Sequence, residues 1–138
     1  AIVASIGIPN YRTLVLNNRI TSSTNGMLGF LQLARSEAVT RRASITVCAS
    51  SNQASCTGSN WEAGAVMLQG ATLIKVLPPA SNGVQIRGAS NTLTYRSDGT
   101  LAAATSISVC DSRGADSSRL ISLTFIGQAS SGAHNACL

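Results

Sequence analysis

A chain of 138 residues, 44% apolar and 11% charged, is long enough for one domain with a real hydrophobic core. Its net charge of +5, nine arginines and one lysine against five acids, permits an acidic partner without requiring one. Four cysteines with no Cys-x-x-Cys spacing, and a single histidine, argue against zinc and thiol redox chemistry and for two disulfides made in an oxidising compartment.

The opening stretch, Ala1 to about Arg42, organises the rest. It begins apolar (AIVASIGIP) and turns amphipathic, with Leu16, Ile20, Thr24, Met27, Leu31, Ala34 and Ala38 recurring at spacings of three and four. That period places them on one side of a helix, and Leu28 widens the stripe. A helix of about forty residues is ~60 Å long, more than the remaining chain can cover, so the apolar end is expected to project. An apolar rod end implies a membrane or like helices around it. The uncharged opening run has eleven residues, short of the ~20 that cross a bilayer, and reads as the middle of an apolar segment whose beginning lies ahead of Ala1. Gly7 and Pro9 predict a kink near Ile6–Pro9. Gly26 and Gly29 are expected to let the helix pack closely on a sheet.

After Arg42 the period changes to alternation. Strands are predicted at 44–49, 61–69, 71–77, 84–87, 92–96, 105–110 and 120–126. The Gly88-Ala89-Ser90-Asn91 stretch resembles a hairpin turn, Ser97-Asp98-Gly99 is a strong turn signal, and Asp111–Ser118 sets up a second hairpin. Gly127–Leu138 reads as an irregular tail. The fold class that follows is α+β: a long N-terminal spine helix, residues 1–42, packed on the antiparallel sheet of a β globular domain, residues 43–138. Three cysteine pairings are possible. Sequential pairing, Cys48–Cys56 and Cys110–Cys137, is preferred because the first closes a short polar loop and the second tethers the last strand.

These residues carry a resemblance. An apolar run leading into Ile8-Pro9-Asn10-Tyr11-Arg12, a helix ending Ala34-Arg35-Ser36-Glu37-Ala38-Val39, and then Cys48, Cys56, Trp61 and Gly64 look like the type IV pilin-like proteins. More closely, they resemble the FimT/FimU minor pilins and the H-type pseudopilins of type II secretion. Tyr95-Arg96-Ser97-Asp98-Gly99-Thr100 fits the late strand and turn of that family. The resemblance implies a prepilin leader and a methylated N-terminus ahead of Ala1, and a spine helix against antiparallel sheets. It also implies a life in the bacterial inner membrane with the globular part in the periplasm, and then in an extracellular pilus.

No arrangement for catalysis stands out. His134 lies in a Gly/Ser/Ala tail without a second ligand or a Gly-x-Ser-x-Gly stretch, no Gly-rich phosphate loop opens a helix, and no cofactor is implied. A structural subunit is the leading expectation. Ile2, Val3, Ile6, Ile8, Pro9 and Val15 would pack in the membrane and then among the helices of other minor and major pilins. Burial at ~25 cal/mol per Å² supplies several kcal/mol from a few such side chains. The alternative is a DNA-binding minor pilin for natural transformation. The family's DNA-binding stretch, a late Gly-Arg-x-Arg, corresponds to Gly127-Gln128-Ala129-Ser130, which lacks both arginines. Arg87, Arg96, Arg113 and Arg119 are the remaining candidates for phosphate contact. Arg41 and Arg42 are assigned to the helix C-terminus, where cations meet the favourable end of the dipole.

Overall fold

The computed structural model describes residues 2–133 and 136–138, with side chains from Asn10 onward. Helix α1 (Ile2–Arg41) is a single run of 40 residues. The helical run continues unbroken through Pro9. Thr24 returns its hydroxyl to the Ile20 carbonyl at 2.7 Å, so a polar residue sits on the buried stripe at no hydrogen-bonding cost. The helix stops at Arg42, whose φ of 52° turns the chain left-handed, and the Ala43 N–H reaches back to the Ala38 carbonyl at 3.2 Å. Arg41 in the last turn pairs with Glu37 one turn earlier at 2.6 Å.

Eight strands follow: β1 (Ile45–Ala49), β2 (Ala65–Gln69), β3 (Thr72–Leu77), β4 (Gln85–Gly88), β5 (Thr92–Tyr95), β6 (Thr105–Cys110), β7 (Arg119–Leu123) and β8 (Ala129–Ala133). They form two four-stranded antiparallel sheets, ordered β3-β2-β1-β5 and β4-β6-β7-β8. The α+β class and the helix packed on antiparallel sheets hold, with two sheets sharing the helix. The expected hairpin across Gly88–Asn91 does not form: β4 pairs with β6 and β5 with β1, so the chain changes sheets there. The Asp111–Ser118 segment does join a paired β6 and β7.

Two further strand predictions are corrected. Trp61–Ala63 is a turn of 3-10 helix and not the start of β2. Gly64 then takes φ +114° with Gln53 and the Leu77 carbonyl close on the side where a Cβ would stand. That geometry tolerates no other residue. The last predicted strand stops at Leu123, and Thr124–Gly127 turns the chain into β8, within the segment read as an irregular tail.

Both sheets turn their apolar faces to α1. Ile20, Met27, Leu31, Ala34 and Ala38 are buried against Val47 and Met67 of the first sheet and Ile107 and Ile121 of the second. Burial of each large aliphatic side chain contributes about 1.5–3 kcal/mol. The 3-10 turn ahead of β2 also ties the first sheet to β4 and to the link that follows it. The Glu62 carboxylate accepts the Ile86 N–H at 3.1 Å and pairs with Arg87 at 3.0 Å, and Trp61 Nε1–H donates to the Ser90 carbonyl at 2.9 Å. Gly26 and Gly29 correct the sequence reading: a Cβ at either would meet nothing within 4 Å, so no sheet packs against them.

Candidate functional site

The first fully buried side chain of α1 among those described is Ile20. From Asn10 to Arg19 the helix runs with its side chains exposed or half-covered, and its backbone continues to Ile2. At ~1.5 Å per residue the stretch before Ile20 is about 27 Å long. Tyr11 is 67% and Leu14 56% exposed, the most open large apolar side chains among those described on the helix. Val15, predicted to be a packing residue, is half-buried. Ile2, Val3, Ile6, Ile8 and Pro9 belong to α1, but their side chains lie outside those described. Tyr11 and Leu14 fall off the buried stripe, and their angular position was the signal that could have marked them as outward-facing apolar groups.

The helix is fixed to the sheets at the point where it becomes buried. Arg113, in the turn between β6 and β7, donates Nη1–H to Asn17 Oδ1 at 2.7 Å and pairs with Asp111 at 2.9 Å. At the other end of the helix, Arg35 Nε–H is shared between the carbonyls of Gly99 and Ile126, at 3.3 Å each.

Both disulfides pair sequentially. Cys48–Cys56 spans 5.5 Å between Cα atoms and closes the Ser50–Ser55 loop. Cys110–Cys137 spans 6.2 Å and draws the last residues over the outer face of β6, where Leu138 N–H meets Ser108 Oγ at 3.0 Å.

The four late arginines do not share a face. Register places Arg87 beside Ser108, and Ser108 beside Leu120, on the outer face of the second sheet. Arg119 pairs with buried Val109 and so points to the inner, helix side, donating to the Ser118 carbonyl at 3.1 Å. Arg87 and Arg113 are held by Glu62 and Asp111, and Arg96 follows β5 in the first sheet. Among the described residues no three His, Cys, Asp or Glu side chains come together as metal ligands. His134 lies outside the described residues. No helix among the described residues is long and apolar enough to cross a membrane.

A long helix laid across two antiparallel sheets, its Asn10–Arg19 side chains left exposed or half-covered, is the architecture of a pilin-like subunit. Residues 23–127 match the family model of the type II transport protein GspH, and the chain belongs to that family. Its fold is similar to the crystal structure of the type IV minor pilin FimU from Pseudomonas aeruginosa. That match has a TM-score of 0.77 at 21% identity, covering 91% of this chain and 99% of that one. A second crystal form of FimU gives 0.69 at 22% identity, covering 86% and 99%. The minor pseudopilin EpsH from the type 2 secretion system of Vibrio cholerae gives 0.61 at 12% identity, covering 83% and 97%. No curated protein matches the chain in sequence.

Proposed function

We propose that the chain is a structural minor pilin or pseudopilin, anchored in the bacterial inner membrane through α1 and incorporated at or near the tip of a type IV pilus or related filament, where it supports assembly. Membership of the GspH family and the fold shared with FimU and EpsH support its being a component of a pilus or pseudopilus, with other pilins as partners. The observation that carries the finer reading is the bare start of α1. An apolar sequence runs into a helical segment whose Tyr11 and Leu14 face outward, uncovered by either sheet. Burial of these side chains among neighbouring helices would stabilise assembly, and the same apolar stretch suits a bilayer before assembly.

A photo-reactive amino acid placed at Tyr11 or Leu14 in cells tests this. Cross-links to other pilins, absent when the probe replaces exposed Asp98 at the far end of the helix, are the expected outcome. Monomer alone at both positions would end the filament reading.

A further inference from the structure

Arg12 and Arg19 stand seven residues apart, two helical turns, and so share one flank of α1. Both are exposed, and neither takes part in an ion pair among the described residues. The first acid in the chain is Glu37, so everything up to Ser36 carries three arginines and no carboxylate. Of those three, Arg35 is committed to two carbonyls. Tyr11, Arg12, Val15, Leu16 and Arg19 line one shallow recess. Arg19 also borders a second recess that includes Asp111, but that carboxylate is occupied by Arg113. Immediately before the recess the sequence carries no charge.

We propose that Tyr11, Arg12 and Arg19 form a collar that holds the phosphate groups of anionic phospholipids where α1 enters the membrane. This rests on the membrane anchoring argued above and adds the ligand. The two arginines are separated by ~10 Å along the axis, which keeps both within about one Debye length of a surface at the level of Arg12. Their long stems let the guanidinium groups reach headgroups on either side, and the guanidinium fork matches two phosphate oxygens at once. Tyrosine favours this same layer, with its ring toward the hydrocarbon and its hydroxyl in water. A nucleic acid would use the charges but leave Tyr11 and the apolar run without a role.

Flotation of the chain with vesicles tests the collar, comparing phosphatidylglycerol–phosphatidylethanolamine with phosphatidylcholine at low and high salt. Tighter, salt-sensitive binding to the anionic vesicles is expected. The pair Arg12→Ala and Arg19→Ala should weaken it about thirtyfold while leaving phosphatidylcholine binding unchanged, and the pair Arg12→Lys and Arg19→Lys, which keeps the charge without the fork, should restore only part of it. Three results overturn the collar and leave anchoring intact: equal affinity for both vesicle types, an equal loss from Arg96→Ala at the opposite end, or displacement of the protein from vesicles by duplex DNA through the same two arginines. Failure to bind either vesicle type would overturn the collar as well.

Discussion

Arg113 reaches Asn17 across ninety-six positions of sequence and closes a 2.7 Å hydrogen bond at the point where the spine helix leaves the sheets. The same guanidinium neutralises Asp111, which is 8% exposed. The two halves of this contact have unequal worth. Asn17→Ala removes one hydrogen bond near solvent and should cost about 1 kcal/mol in chemical denaturation. Arg113→Ala strands a carboxylate that is nearly buried and should cost about 2–4 kcal/mol. Equal effects would show that Asp111 is solvated in the native state. Any DNA-binding assay that relies on Arg113→Ala must first show that the variant is folded.

Glycines in this chain have opposite costs on replacement. Gly127 has φ +88°, and a Cβ there would run into the Gly99 carbonyl beside the Arg35 clamp. Gly127→Ala should destabilise by about 2 kcal/mol or more. Gly26→Ala and Gly29→Ala place a methyl group in open space in mid-helix and should each stabilise the isolated chain by roughly 0.5–1 kcal/mol. Thermal melts of the three variants decide this, and destabilisation at Gly26 would mean that the helix and β3 lie closer than described.

The sequence reading met its limits for reasons visible in these same residues. Ile20, Thr24, Met27, Leu31, Ala34 and Ala38 are all buried because helical period and burial answer to the same geometry. Leu16 is only half-covered, since the sheets have ended by then. Strand β8, Ala-Ser-Ser-Gly-Ala, has no alternation to read, and its extension is imposed by β7 alongside it. Strands β4 and β5 alternate alike, so nothing local says that they part into different sheets. The strand expected from Trp61 starts instead with a turn of 3-10 helix, from which the Glu62 carboxylate reaches Ile86 and Arg87 of β4, a contact that no local pattern announces. At the candidate site, the apolar run and the cysteine spacing were legible. Which flank of the helix stayed bare depended on where the sheets stop.

The disulfides should contribute unequally. Cys110–Cys137 closes a separation of 27 residues and Cys48–Cys56 one of 8. Chain-entropy reasoning gives about 3–4 kcal/mol for the first and about 2–3 kcal/mol for the second. Denaturant midpoints of Cys110→Ala/Cys137→Ala and Cys48→Ala/Cys56→Ala variants should fall in that order. The reverse order would assign the larger share to native contacts of the Ser50–Ser55 loop.

Tyr95 is buried on β5, and its hydroxyl has no hydrogen-bond partner among the described residues. Burial pushes its pKa up to about 12, against a smaller opposing pull from the Arg35 guanidinium. Above pH 10 the unfolded chain loses this proton while the folded chain keeps it. Stability therefore falls as pH rises from 10 to about 12, by up to roughly 2–3 kcal/mol. Tyr95→Phe should flatten that part of the profile and cost less than about 1 kcal/mol at neutral pH. An unchanged alkaline limb in the variant would assign the loss to other groups.

Asp98 behaves in the opposite sense. Hydrogen bonds from the Thr100 hydroxyl at 2.7 Å and its N–H at 3.0 Å hold the carboxyl below the usual range. The turn is firmest above the ordinary carboxylate pKa and loosens as pH falls through the lowered one. An NMR titration should show the Asp98 carboxyl ionising below a free aspartate, and Thr100→Ala, which removes the hydroxyl but keeps the N–H, should bring it part of the way back up.

The seam that Glu62 and Trp61 make between the sheets governs how the molecule bears tension. Because α1 is seated on both sheets at once, a pull along the spine enters them side by side instead of end to end. Neither sheet then has to unzip for the other to be strained. Such a body should meet a pull along its axis with both sheets together.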